Sequence, residues 1–134
     1  MPINIKVLEF VNEHRISVLT TLLANGVPHS ATMHYATDGK GLSFVFFTKE
    51  KSKKCSNLKV GENSRASLVI GFSEKEWKEL QLEGEIEMID KANSKKEEAI
   101  FAEKYEGAEL DDEHIVLKFT PTWWRYTDFK SKPV

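Results

Sequence analysis

Residues 80–88 read "LQLEGEIEM": Leu80, Leu82, Ile86 and Met88 alternate with Gln81, Glu83, Glu85 and Glu87. Successive side chains of a strand leave on opposite faces, so this segment buries one face and wets the other, as an antiparallel strand does. The same period recurs upstream, where Ala66, Leu68, Ile70 and Phe72 alternate with Arg65, Ser67 and Gly71. Further upstream, "ISVLTTLLA" (16–24) is rich in β-branched residues and runs into the turn "NGVP", and "HSATMHYAT" (29–37) returns as its partner. Asp38-Gly39 and Lys40-Gly41 then mark a tight turn before the apolar run "LSFVFFT" (42–48). Downstream, "HIVLKFT" and "WWRYTDF" are two last strand candidates with a corner at Pro121, since proline has no amide hydrogen to give a ladder.

Two helices flank these strands. Near the start, Ile3, Val7, Leu8 and Val11 fall at helical spacing with Asn4 as the cap. The second helix opens "SKKEEAIFAEKY", where Ser94 and Glu97 have the spacing of a capping box. The sum is an α+β fold: a six- to seven-stranded antiparallel barrel with two or three flanking helices, closed so that strand edges are not left open.

The chain has 134 residues, 40% of them hydrophobic, which suits one domain over residues 1–134 with a single core. A net charge of −2 supplies no global attraction to nucleic acid or to an anionic membrane. No apolar run reaches the roughly 20 residues of a membrane helix, and the opening "MPINIKVLEF" lacks the pattern of a secretion signal, so a cytoplasmic protein is expected. One cysteine, Cys55, excludes an internal disulfide, and the four histidines have no metal-ligand spacing, so no metal is expected.

Positive charge is concentrated at "KEKSKKCSNL" (49–58), directly after the apolar strand. Five lysines there, counting Lys59, are most simply a solvated face that keeps a strand edge soluble. Position favours a second reading. Ser52 is a good N-cap for a helical turn or two with Leu58 turned inward, and Lys53 and Lys54 add charge at the same place. A phosphate there takes charge-assisted hydrogen bonds, while Phe47 and Thr48 offer an apolar wall and backbone groups to a ring system.

The order of pieces "NGVPHSATMHY", "LSFVFFTKEKSKKCSNL", "RASLVIGF", "LQLEGEIEMI" and "FTPTWWRYTDF" resembles the pyridoxamine 5′-phosphate oxidase-like flavoproteins, the FMN-binding split β-barrel family, and within it the short branch of general stress proteins. The resemblance spans residues 16–129. It implies FMN as cofactor, with Phe47 and Thr48 beside the ring, Ser52, Lys53 and Lys54 at its phosphate, and Ser30, Ala31, Thr32 and Met33 along its polar edge. It also implies a homodimer with flavin sites at the interface, to which Trp123 is a candidate contributor, and a small-molecule redox partner. Packing in the dimer or the barrel is the simpler role for Trp123 and Trp124.

Three departures narrow the activity. Ser30 stands near the place of an arginine in the full-length oxidases, Glu79 where they carry a glutamine, and the chain ends at Val134 without their C-terminal substrate-binding segment. Vitamin B6 oxidation is therefore not the expected reaction. The family resemblance leaves an FMN-dependent oxidoreductase of unassigned substrate, or a stress module that binds flavin, deazaflavin or haem without turnover. Cys55 reads as a small packed side chain, and Glu83, Glu85 and Glu87 as a solvated strand face.

Overall fold

The structure is a computed structural model, described for residues 4–131. Its elements are α1 (Ile5–Glu13), β1 (Ile16–Leu22), β2 (Pro28–His34), β3 (Phe44–Lys49), β4 (Asn63–Ile70), β5 (Lys78–Ile89), α2 (Lys95–Lys104) and β6 (His114–Asp128), with single 3₁₀ turns at Lys53–Cys55 and Lys91–Asn93. Six strands form one antiparallel sheet in the order β2-β1-β4-β5-β6-β3. The sheet curls until its two edge strands touch at one place, where Ala36 and Val45 exchange backbone bonds of 3.0 and 2.8 Å. Beyond that bridge no ladder joins β2 to β3 among the described residues. The result is the α+β split barrel expected, with six strands and two helices, but it is not closed as expected: apart from the one bridge, the edges of β2 and β3 stay unpaired.

Two cores lie on opposite sides of the sheet. The inner one gathers Leu19, Met33, Tyr35, Phe44, Phe46, Leu68, Leu82, Ile86 and Phe119, and α1 presses Val7, Phe10 and Val11 into it. Asn4 caps α1 as expected, its Oδ1 accepting the Lys6 N–H at 2.8 Å, while Ile3 lies outside the described residues. The outer core is smaller: Ala36, Val45 and Val116 covered by Phe101 of α2. Along β3, Phe44, Phe46 and Thr48 therefore turn inward and Val45 and Phe47 outward under α2.

The second helix does not use the expected capping box. Ser94 Oγ donates to Glu98 Oε2 at 2.7 Å, and Glu97 is buried.

The C-terminal segment also differs from the expectation of two strands with a corner at Pro121. It is a single strand, β6, carrying an irregularity opposite Glu83 and Gly84. Glu83 pairs with Trp123 and Gly84 with Pro121, so Thr122 is the extra residue of a bulge. The bulge shifts side-chain parity by one: Phe119 and Pro121 are buried before it, and Trp124 and Tyr126 pack on the core after it. Gly84 permits the close approach, because a Cβ there would lie 2.2 Å from the Thr120 carbonyl oxygen and 2.7 Å from Pro121 Cα. No helix among the described residues is long and apolar enough to cross a membrane.

Gly84→Ala should destabilise the fold by about 1–3 kcal/mol, the cost of overpacking, and lower the urea midpoint accordingly. Gly41→Ala, where no atom lies within 4 Å of the added Cβ, should leave the midpoint nearly unchanged. Equal midpoints for the two variants would remove the bulge's steric explanation.

Candidate functional site

Past the Ala36–Val45 bridge the edge strands diverge, and the gap between them is an open cleft of about 640 Å³. Continued pairing would set His34 against Phe47, Met33 against Thr48, and Thr32 against Lys49. All six residues line the cleft instead. Residues two apart on a strand send their backbone groups to the same edge, so His34 and Thr32 share the edge that Ala36 uses to bond Val45. The cleft thus meets an unladdered strand edge, which suits a planar ring with its own donors and acceptors.

One wall is aromatic. Phe47 stacks on Phe101 of α2, with ring centroids 4.1 Å apart and planes 20° apart, and Tyr105 follows one helical turn later at 4.6 Å from Phe101. Tyr105 Oη stands 2.5 Å from the Tyr35 carbonyl oxygen and 3.2 Å from that of Arg15, fixing the end of α2 to β2 and to the residue before β1. The Arg15 guanidinium lies over the Tyr105 ring, 4.9 Å from its centroid.

The lysine-rich turn supplies the cation. Lys54 Nζ donates to Thr48 Oγ1 at 2.8 Å and Ser52 Oγ at 3.2 Å, so two hydroxyls hold the ammonium at the cleft. Ser52 does not cap a helix by its side chain; its Oγ donates to the Lys49 carbonyl at 2.7 Å, and the following helix is a single 3₁₀ turn. Lys53, next in the chain, is exposed. Burial pushes the Cys55 thiol above its ordinary range against the opposing pull of Ser52 and Lys54, in keeping with a packed side chain.

The residues singled out from sequence therefore divide. Thr32, Met33, Phe47, Thr48, Ser52 and Lys54 come together in the cleft. Ser30, Ala31, Lys53 and Trp123 are not among its lining residues. Ser30 bonds Thr20 across the β1–β2 pair at 2.7 Å, and Trp123 lies exposed over a shallow depression with Val18, Thr20, Ser67, Val69, Gln81 and Glu83. Arg15, Phe101, Tyr105, Asp111 and His114 join the cleft without having been singled out. The spacing of Phe101 and Tyr105 was the available signal, an aromatic pair four apart on one helix face.

Behind the aromatic wall, Lys104 donates to the His14 carbonyl, with Nζ 4.2 Å from the centroid of the Tyr35 ring. Burial, aided by Arg15, lowers its pKa to about 8.

Together these features define a split barrel with an open cleft between its own unpaired edge strands. The chain belongs to the pyridoxamine 5′-phosphate oxidase family, whose profile matches residues 3–128. Among curated proteins none matches. Among solved structures, a conserved hypothetical protein of Mycobacterium tuberculosis superposes with a TM-score of 0.73 at 23% identity, over 96% of this chain and 86% of its own. A Clostridium acetobutylicum protein related to general stress protein 26 of B. subtilis gives 0.69 at 26% identity, over 95% and 92%. The haem storage protein HutZ of Vibrio cholerae gives 0.72 at 16%, over 93% and 94%.

Lys104 gives the fold a pH dependence of defined sign. Its folded-state pKa, about 8, lies below the unfolded value, so between them the unfolded chain binds more protons and stability rises with pH. The Cys55 thiol, raised by burial, opposes this from about pH 8.5, and above about pH 10 the tyrosines do too, because burial raises the pKa values of Tyr35 and Tyr105 and in each case the unfolded group ionises first. Urea unfolding at pH 7.5, 8.5 and 9.5 should show that rise in the wild type and its loss in Lys104→Met; parallel curves for the two would contradict it.

Proposed function

We propose that the protein is an FMN-binding flavoprotein acting as a small oxidoreductase, in a homodimer whose flavin sites lie at the interface. The observation that carries this is the convergence, in one cleft, of a strand edge, a stacked aromatic wall and a hydroxyl-held ammonium. These match the parts of FMN in turn: a ring edge with amide-like donors and acceptors, an apolar tricycle, and a phosphate. The cleft's volume falls within the roughly 300–1,000 Å³ usual for small-molecule sites. Lys54 and Ser52 would hold the phosphate, Phe47 and Thr48 would flank the ring, and Thr32 and His34 would offer it backbone groups, while Met33, whose carbonyl accepts the Ser17 hydroxyl of β1, would line the cleft.

Bound FMN would supply the acceptance and return of electrons. The chain would anchor the phosphate, orient the ring and limit access from solvent. Across the outer face of the sheet, Ile16, Leu22 and Trp123 are exposed apolar side chains, which suits cover by a second subunit. A second reading keeps the cleft and places haem in it, supported by the fold shared with the Vibrio cholerae haem storage protein. A third is flavin binding without turnover.

The purified protein, incubated with FMN and desalted, should retain a flavin absorption band; a Soret band after haem incubation, with no flavin retained, would favour the second reading. Lys54→Ala should weaken FMN binding about 10- to 100-fold, the equivalent of about 1.5–3 kcal/mol for a charge-assisted bond. Lys53→Ala should change it less than about fivefold, as befits an exposed charge. The reverse order of effects would assign the phosphate elsewhere. Oxidation of reduced nicotinamide by the loaded protein separates an enzyme from a binding module.

A further inference from the structure

The end of the cleft that contains Lys54 also holds a group able to change charge near neutral pH. His114 opens β6 opposite Lys49 of β3, and both line the cleft with Thr48, Ser52 and Lys54. Its Nδ1 lies 2.6 Å from Asp111 Oδ1, and the same oxygen accepts the backbone N–H groups of Glu113 and His114, each at 3.0 Å. The bond from His114, with those backbone bonds, holds the Asp111 carboxyl below the usual carboxylate range, so it is ionised at neutral pH. An ionised carboxylate brings no proton of its own, and the hydrogen of this bond must sit on Nδ1 whichever state the ring is in. Nε2 is then the nitrogen left free of that bond. In the neutral ring it carries a lone pair, which repels a phosphate oxygen; in the charged ring it carries an N–H, which donates to one.

We propose, resting on the flavin reading above, that His114 is a proton-linked contact to the phosphate of the cleft's ligand, so that binding of a phosphate monoester takes up a proton at Nε2. Ionised Asp111 keeps the net charge of the pair between −1 and 0, and the larger change is from acceptor to donor at the contact itself. The other charged groups around it are Arg15 before β1, Lys49 from β3, Lys54 from the lysine-rich turn, Glu109 from the segment after α2, Asp112 and Glu113 just before His114 in the chain, and Lys91, whose Nζ reaches the Asp111 and Asp112 carbonyls. Carboxylates titrate far from neutral pH, and the ammonium lowered toward it, Lys104 at about 8, lies behind the aromatic wall against the Tyr35 ring and is not among the cleft's lining residues. The second imidazole of the cleft, His34 on β2, packs its ring edge-on against Tyr105 and has no carboxylate partner among the described residues. The ligand's own second ionisation, near pH 6, sets the lower end of the useful window.

The test is the affinity of FMN and of riboflavin, which lacks the phosphate, between pH 6.5 and 8.0. Titration calorimetry in buffers of different ionisation heat counts the protons taken up. FMN affinity should fall about five- to tenfold over that range as the charged donor is lost, with net proton uptake near pH 7, while riboflavin binding stays flat. His114→Gln should abolish the pH dependence and the proton uptake, and His34→Gln should retain both. Asp111→Asn, which keeps the imidazole but removes the charge that favours its protonation, should move the midpoint to lower pH and stands in if the His114 variant does not fold. The imidazole Cε1–H resonance of His114 should shift its titration upward when FMN is added. Equal pH dependence for riboflavin, or its survival in His114→Gln, would overturn the proposal. Tight but pH-independent FMN binding would overturn it alone, and no FMN binding at any pH would overturn it together with the flavin reading.

Discussion

A single backbone bridge, Ala36 to Val45, governs where this molecule opens a cleft. A six-stranded sheet that curls until its edges meet has two choices: zip the edges into a full ladder, or touch and part. Here they part after one residue pair. Groups that a ladder would have consumed are left facing a gap, and an exposed edge normally invites pairing with another chain. The flanking elements narrow that risk. α2 lays Phe101 and Tyr105 across the outer side of the gap, and the turn after β3 sets Lys54 against Thr48 on its inner side. The gap therefore admits a ligand of limited shape more readily than a strand.

Tyr35 is the joint that keeps the parting in register. Its hydroxyl, buried in the inner core, donates to the Val11 carbonyl of α1 at 2.6 Å, and its ring lies under the Lys104 ammonium. Its amide bonds the Arg15 carbonyl at 3.0 Å, and its carbonyl receives Tyr105. One residue next to the bridge thus ties together α1, the start of β1, β2 and the end of α2. Burying a lysine beside it has an electrostatic cost, visible in the lowered pKa of Lys104, that the carbonyl bond and the two aromatic faces offset only in part.

What the sequence makes legible here follows the range of the forces involved. The alternation of Leu80 to Met88 is set by burial within one strand, and it survives intact in β5. The β6 bulge is not local: it depends on Gly84 admitting the Thr120 carbonyl from a strand more than thirty residues away, so Pro121 alone suggested a break where the chain in fact continues. The lysine cluster was visible as charge, but which lysine turns toward Thr48 is decided by the geometry of a three-residue 3₁₀ turn. Arg15, Tyr105 and His114 are spread over a hundred positions and meet only because β1, α2 and β6 surround the same gap. The capping-box pattern at Ser94 failed by one residue for a comparable reason: Glu97 is buried and Glu98 takes the hydroxyl.

The outer face of the sheet bears on how the proposed flavin site would be completed. Antiparallel pairing sets Ile16 beside His34 and Val18 beside Thr32, so the exposed face of β1 runs without interruption into two residues that line the cleft. Farther across the same sheet that face carries Val69 and Trp123. A cleft open on this side leaves any planar ring half in water, and the hydrophobic contribution to binding falls with the area left wet. A second copy seated over Ile16, Val18 and Trp123 would bury apolar surface of its own and shut the open side of the cleft in the same step. Dimerisation and ligand retention would then be coupled, because each would remove water from the surface on which the other depends.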